Sequence, residues 1–256
     1  MNNEKEKKIQ GIQSVENAFS ILDCIKQSPE PLTLSDIARL TNMSKSRVQK
    51  YIVSFLRVEA LVQDKTTHTY RFGSKLLEVG LQALRDNDIV SISDSYLKEI
   101  RRELNQSSAL NIWTQEGPVV VKYESSGQPI SVEIQVGYRP PILRSATGKC
   151  FAAFMESDQI DEFIKKEIQQ YNLDRAAVEN ELKKIRENGY SLRDTVHEGV
   201  PGGSAITAPV FSDSGSMLAV ISIIGFSGNL RTEPHAKEVQ KLKEITSRLS
   251  KEMSYH

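Results

Sequence analysis

A basic helix with one apolar face is the feature that most constrains this chain, and the letters NMSKSRVQKYIVSF at 42–55 encode it. Ser44 is a suitable N-cap for such a helix. Val48, Ile52 and Phe55 recur at helical spacing and therefore share one face. The opposite face carries hydroxyl, amide and cationic groups and no acid, namely Ser46, Arg47, Gln49 and Lys50. Such groups can hydrogen-bond phosphates and base edges, although a merely solvated face is the alternative that this helix alone leaves open.

The segments on either side of this helix favour a winged helix-turn-helix. Before it, Thr33 followed by Asp36 in TLSDIARLTNM is a capping-box variant that predicts another short helix. Two short helices joined by a tight turn form a helix-turn-helix. After it, ALVQDKTTHTYRFG contains two strand-like segments, 61–63 and 70–72, across a polar turn. A hairpin directly after a recognition helix is a wing, so DNA binding is the favoured interpretation.

In that interpretation the recognition helix lies in the major groove of double-stranded DNA. The residues predicted to read base edges are Ser46, Arg47, Gln49 and Lys50. The residues predicted to contact phosphates are Thr33, Ser44, Lys45, Lys65, Thr66 and His68. A winged helix that binds another protein is the competing possibility, and DNA affinity that ignores salt would favour it.

The distribution of charge agrees with a small module that has an anionic partner. The 256 residues contain 33 basic and 33 acidic side chains. Residues 1–75 hold 12 basic and 8 acidic ones, a net charge of +4, so residues 76–256 carry −4. Two distant cysteines, Cys24 and Cys150, and the lack of a membrane-length apolar run predict a cytoplasmic protein with reduced thiols and no membrane partner.

The letters SKLLEVGLQALRDND predict a helix with a broad apolar surface, which must bury most of its circumference. Its position between two modules predicts a linker and dimerisation helix at 74–90, after a DNA-binding domain at 1–73. Packing of this helix on its own domain alone is the alternative.

From residue 91 to 256 the pattern changes to that of an α+β domain with a mainly antiparallel sheet. Strands are predicted at 108–114, 118–125, 131–136, 204–212 and 217–226, and helices at 95–105, 147–155, 158–168, 176–189 and 235–253. Gly189 is the expected C′ glycine of its helix.

This domain shows no catalytic or metal-ligating constellation, so no enzyme activity and no cofactor are predicted. The histidines are scattered, and Gly148–Lys149 lacks the glycine that a P-loop needs at 143. A binding pocket needs only an apolar wall with a few polar groups. Ser145, Thr147 and Gly148 mark the start of a helix, where free N–H groups favour a carboxylate. Ser204 and Ser222 can add hydroxyl groups.

The chain from about Val15 to Leu249 resembles the IclR family of bacterial transcriptional regulators. The markers are SVENAFSILD, YRFG, SKLLEVGLQAL, RSATGKCFAAF, IRENGYSL and GGSAITAPVFSDSGSMLAVISIIG, in that order. The resemblance implies an N-terminal winged helix-turn-helix and a C-terminal GAF-like domain that binds a small effector, often a carboxylate. It also implies homodimers, commonly paired into tetramers, on palindromic operators. A repressor is favoured, and a GAF-like enzyme with a DNA-binding appendage is the rival.

The resemblance further implies where the effector is bound. The positions matching the family's contacts are Ser145, Thr147, Gly148, Thr195, Gly203, Ser204, Ala205, Ser222 and Ile224. Family members often have an acid near Thr195, cysteine at Ala205 and a small polar residue at Ile224. The more apolar set in this chain favours a larger, partly apolar or aromatic acid over one the size of glyoxylate. Asn17 stands where the family usually has Arg.

Overall fold

A computed structural model of the chain describes residues 11–193 and 202–254, and it divides into two compact units, Met1–Leu84 and Arg85–His256. The elements of the first unit are α1 (Gln13–Gln27), α2 (Leu34–Leu40), α3 (Lys45–Arg57), β1 (Leu61–Gln63), β2 (Tyr70–Phe72) and α4 (Ser74–Arg85). Those of the second are α5 (Asp88–Leu104), β3 (Ser107–Thr114), β4 (Gly117–Glu124), α6 (Ala146–Phe154), α7 (Ser157–Tyr171), α8 (Arg175–Asn188), β5 (Ser191–Arg193), β6 (Gly203–Phe211), β7 (Met217–Phe226) and α9 (Lys237–Met253).

The first unit is a winged helix-turn-helix, as the sequence predicts. Its core joins one apolar face from each of the first three helices, through Ile21, Ile37 and Ile52. The predicted capping box starts α2, because Thr33 and Asp36 exchange hydrogen bonds across the first turn. β1 and β2 pair antiparallel and form the wing.

The second unit is α+β with a five-stranded sheet in the order β4-β3-β7-β6-β5, and every pairing is antiparallel. One face packs on α5, where Ser108 Oγ donates to Leu97 O at 3.5 Å. The opposite face meets the start of α6, where Thr147 Oγ1 lies 3.0 Å from Ser222 Oγ. The predicted fold class is therefore confirmed.

Several predicted element boundaries differ from the structure. The segment 74–90 contains two helices, because α4 ends at Arg85 and α5 begins at Asp88, seven residues before the predicted start at 95. Residues 131–136 form no strand, although their apolar side chains alternate as in one. The three-residue β5, Ser191–Arg193, is a strand that the sequence pattern did not predict.

The spacing of apolar residues in SVENAFSILDCIKQS predicts a stripe of Val15, Ala18, Phe19, Leu22 and Ile25 on α1, of which Leu22 and Ile25 pack on the core. Ile21 is fully buried, whereas Phe19 is 62% exposed. No residue of α4 is buried, and Leu77 on it is 64% exposed. Within residues 11–193 and 202–254, no helix is long and apolar enough to span a membrane.

Candidate functional site

A cavity of about 770 Å³ lies against one face of the sheet in the second unit. Alternate residues of neighbouring strands share a face, so β3, β6 and β7 each place side chains in its floor. These floor residues are Ala109, Asn111, Ala205, Ser222 and Ile224. The floor is therefore apolar at one end and polar at the other.

The loop 131–138 forms an apolar wall of this cavity. Val132 and Ile134 pack together with Ile224 of the sheet. Tyr123 Oη donates to Val132 O at 2.8 Å and holds the loop in place. The alternation that resembles a strand thus comes from an extended loop that packs its apolar side chains on the sheet face.

The polar end of the floor is a cluster of hydroxyl groups around Ser222. Its Oγ lies 3.0 Å from Thr147 Oγ1 and 2.9 Å from Thr207 Oγ1. Asn111 Nδ2 donates to the same Oγ at 3.3 Å. All four residues are buried. Three strands and a helix therefore contribute to one polar network below the cavity.

The start of α6 supplies backbone donors beside this network. Ser145 caps the helix, since its Oγ accepts from Gly148 N at 2.8 Å and donates to Pro141 O at 2.6 Å. The N–H groups of Ala146 and Thr147 have no hydrogen-bond partner among the described residues. The positive end of a helix with open N–H groups is a favourable place for an anion.

Gly148 is required by packing. A Cβ atom on it would lie 2.1 Å from Pro141 O and 2.4 Å from Ile142 Cα, both backbone atoms. Its N–H group is already used by Ser145, and it does not line the cavity. Glycine at this position lets the helix start approach the preceding loop.

Most of the predicted effector residues meet at the cavity. Those that line it are Ser145, Thr147, Gly203, Ser204, Ala205, Ser222 and Ile224. Thr195 lies outside the described residues. The sequence prediction missed Asn111, Arg193 and the loop residues 132–136, which also line the cavity. The signal in the sequence for Asn111 is a polar residue between the apolar Leu110 and Ile112.

A second candidate site is the exposed face of α3 in the first unit. The predicted base-reading residues Ser46, Arg47, Gln49 and Lys50 are all exposed on it, as is Lys45. Within the described part of the chain, none of the three cations forms an ion pair. Elsewhere in this unit Arg39 and Lys75 pair with acids on their own helices. The face of α3 therefore keeps its positive charge available for a partner.

The wing presents its tip residues in a defined turn. Asp64 Oδ1 accepts from the N–H groups of Thr66 and Thr67, each at 2.8 Å. The bond from Thr67 and, to a smaller extent, that from Thr66 lower the pKa of the Asp64 carboxyl. Lys65, Thr66 and His68 are exposed around the turn.

Two of the predicted phosphate contacts also act as helix caps. Thr33 Oγ1 lies 2.6 Å from Asp36 Oδ2, and this bond holds the pKa of the Asp36 carboxyl below its usual value. Ser44 Oγ accepts from Arg47 N at 3.4 Å and so caps α3. Their hydroxyl groups therefore fix the two helix starts in addition to any contact with a partner.

The described residues show no group of three or more metal-ligating side chains, and the thiols are unpaired. Cys150 is fully buried, and burial raises the pKa of its thiol. A thiol that stays protonated is a poor nucleophile, so Cys150 packs as a small apolar side chain.

Comparison with known protein families identifies the family of this chain. The model described as "Bacterial transcriptional regulator IclR C-terminal" matches residues 81–251, and the IclR helix-turn-helix domain matches 14–65. The chain belongs to the IclR family. It is a helix-turn-helix transcriptional regulator, and the predicted resemblance is confirmed.

Individual IclR-family proteins resemble this chain over nearly its whole length. The HTH-type transcriptional regulator KdgR of Escherichia coli (strain K12) is 23% identical over 260 residues, which cover 100% of this chain and 98% of KdgR. The crystal structure of Pseudomonas aeruginosa HmgR shares 30% identity and a TM-score of 0.61, covering 95% and 98% of the two chains. An IclR homologue from Microbacterium hydrocarbonoxydans, complexed with 4-hydroxybenzoate, has 18% identity and a TM-score of 0.73 over 94% and 99%.

Proposed function

We propose that this IclR-family regulator binds a palindromic operator as a homodimer or a pair of dimers, and that an acid in the cavity of its second unit modulates that binding. Effector binding is supported by one observation, a cavity with an apolar wall and open N–H groups at the start of α6. A repressor is favoured, and the protein acts in the cytoplasm without enzyme activity.

The exposed face of α3 supports the choice of operator DNA as partner. Lys45 is the first residue of α3, where a cation beside the open N–H groups of a helix start can contact a phosphate. Arg47 and Lys50 lie further along the same exposed face, where they can donate to guanine. The wing residues Lys65, Thr66 and His68 would contact the neighbouring backbone.

The size and polarity of the cavity support an aromatic or partly apolar acid as effector. A volume of about 770 Å³ is well inside the range of ligand pockets, which is about 300–1,000 Å³. The apolar wall suits a ring or alkyl body, and the two open N–H groups suit a carboxylate. The Microbacterium homologue holds 4-hydroxybenzoate, a ligand with this combination of groups.

An exposed apolar surface of the first unit supports self-association. Phe19 of α1, Phe72 of β2 and Leu77 of α4 line one shallow groove. All three are large apolar side chains with substantial exposure. Contiguous exposed apolar surface marks an interaction site, and the linker position of α4 favours a second copy of this chain.

The test of this proposal is the affinity for duplex DNA from the region upstream of the chain's own gene, at two salt concentrations. The expected result is specific binding that weakens steeply with salt. Arg47→Ala should cost about 1–3 kcal/mol and relax specificity, because a bidentate contact to guanine is lost. Lys26→Ala, which changes a cation paired with Asp23 on α1, is the control and should leave affinity unchanged. Equal binding by wild type and Arg47→Ala would contradict the assigned interface.

A further inference from the structure

The hydrogen-bond geometry of the cavity points to a ligand with two different polar groups. We propose that the effector carries an anionic acceptor, which Thr147 and the start of α6 bind, and a separate hydroxyl or amine donor, which Asn111 accepts. This inference rests on the proposed function of the cavity as an effector site. It deepens that proposal by naming the chemical class of the ligand and the residue that selects it.

The hydroxyl group of Ser222 has a limited hydrogen-bond capacity. A serine hydroxyl accepts two hydrogen bonds and donates one. Its Oγ has three neighbours, the amide of Asn111 and the hydroxyl groups of Thr147 and Thr207. The amide nitrogen can only donate, so it takes one acceptor position. Ser222 must then accept from one threonine and donate to the other.

The burial of Thr207 decides which threonine donates. Thr207 is 0% exposed, and Ser222 is the one hydrogen-bond partner of its hydroxyl within the described residues. If Ser222 donated to Thr207, the hydroxyl hydrogen of Thr207 would be buried without an acceptor, which is costly. The favoured order is therefore Thr207 to Ser222 to Thr147. This order leaves the hydroxyl hydrogen of Thr147 without an acceptor in the protein.

Thr147, which keeps the free hydroxyl hydrogen in this order, borders the cavity, whereas Thr207 does not. The open backbone N–H groups of Ala146 and Thr147 lie at the same helix start. Three donors with no acceptor among them predict that the ligand brings one, and a carboxylate supplies two oxygen atoms for this purpose.

Asn111 presents the opposite requirement. It is 1% exposed, its Nδ2 is bound to Ser222, and its Oδ1 has no hydrogen-bond partner in the described part of the chain. A buried acceptor without a donor is destabilising, and such groups are rare in folded proteins. Asn111 lines the cavity, and the terminal torsion of an asparagine is soft enough to present the oxygen to a ligand. A hydroxyl or amine of the ligand would supply the missing donor to Asn111 Oδ1.

The two requirements together predict selection among acids of the same size. A site built to bind a ligand hydroxyl discriminates strongly against the analogue that lacks it, because its own polar group is then left unpaired. An acid with a hydroxyl on its body should therefore bind more tightly than the parent acid. The apolar body would lie against Val132, Ile134 and Ile224.

The experiment is isothermal titration of the full chain with matched pairs of acids. The pairs are benzoate with 4-hydroxybenzoate, phenylacetate with 4-hydroxyphenylacetate, and hexanoate with 6-hydroxyhexanoate. In at least one pair the hydroxy acid should bind about tenfold more tightly, which is the order expected when one buried neutral acceptor gains a partner. Asn111→Leu should lose this preference, so that the two acids of that pair bind with nearly equal affinity. Gln169→Leu, an equivalent change on the exposed surface of α7, should keep it.

Three other outcomes of the titrations overturn the inference. A hydroxyl preference that survives in Asn111→Leu would show that another group accepts the donor. Equal binding within every pair by the wild type, a comparison that needs no variant, would show that no donor is selected. Binding of none of the acids at millimolar concentration would overturn the ligand class. Salt-sensitive DNA binding by the same preparation would show that the DNA-binding proposal stands when the ligand proposal fails.

Discussion

Replacing Gly148 by alanine tests whether the start of α6 depends on its close approach to the preceding loop. The new Cβ would lie 2.1 Å from Pro141 O, against about 3.4 Å for an ordinary contact, so the helix start must move by roughly 1.3 Å. Overpacking of this kind costs about 1–3 kcal/mol. The displacement also disturbs the Ser145 cap, worth about 0.5–2 kcal/mol. The free energy of unfolding should fall by about 1.5–5 kcal/mol in total.

The single tryptophan makes this loss measurable in the second unit alone. Trp113 packs with its ring centroid 5.4 Å from that of Phe151 on α6, so its fluorescence follows the unfolding of this unit in urea. Gly80→Ala, at a helical glycine of α4 with open space around it, is the matched control and should leave the tryptophan transition unchanged. A transition of Gly148→Ala within about 0.5 kcal/mol of wild type would refute the packing argument.

Three further predictions follow from the charges and exposed surfaces of the chain. Lys45→Ala should weaken binding to all DNA sequences alike and reduce the log–log salt slope by about 0.9 per bound protomer, measured by anisotropy; an unchanged slope would exclude a phosphate contact. Leu77→Glu should shift sedimentation towards the monomer, whereas an unchanged oligomer would place the interface elsewhere. Burial and the bond to Glu252 raise the pKa of Tyr96 from 10 to about 12, so the stability that its neutral form contributes is present below pH 10 and lost as the pH rises towards 12. Between pH 10 and 12 the urea midpoint of Tyr96→Phe should therefore fall less than that of the wild type. Identical pH profiles for the two proteins would contradict this explanation.

The elements of the first unit follow closely from local sequence signals. Thr33 and Ser44 cap their helices in the structure as the sequence predicts. These signals depend on neighbouring residues only, so they can be read directly from the chain. The orientation of α1 could not be predicted in this way, because the choice between the faces of Ile21 and Phe19 depends on which one meets the other helices.

The cavity shows the limit of sequence reasoning more clearly. The start of α6 is visible in the sequence, because Ser145, Thr147 and Gly148 lie where a turn becomes a helix. The packing that requires glycine at 148 is not visible there, because it depends on where the backbone of Pro141 and Ile142 lies. Asn111 and Ser222 are separated by 111 residues, and only the pairing of β3 with β7 brings their side chains together. The strand predicted at 131–136 is wrong, because an extended segment that packs on a sheet face shows the same alternation of apolar residues as a strand.

The most direct test of the account is the operator affinity of the chain with and without a saturating acid. The acid should be the one that binds most tightly in the matched pairs, and its binding should be verified by titration in the same buffer. The account predicts that operator affinity changes by about 5–150-fold, a coupling of about 1–3 kcal/mol, and that Thr147→Val reduces the change. An operator affinity that stays the same while the acid occupies the cavity would contradict it.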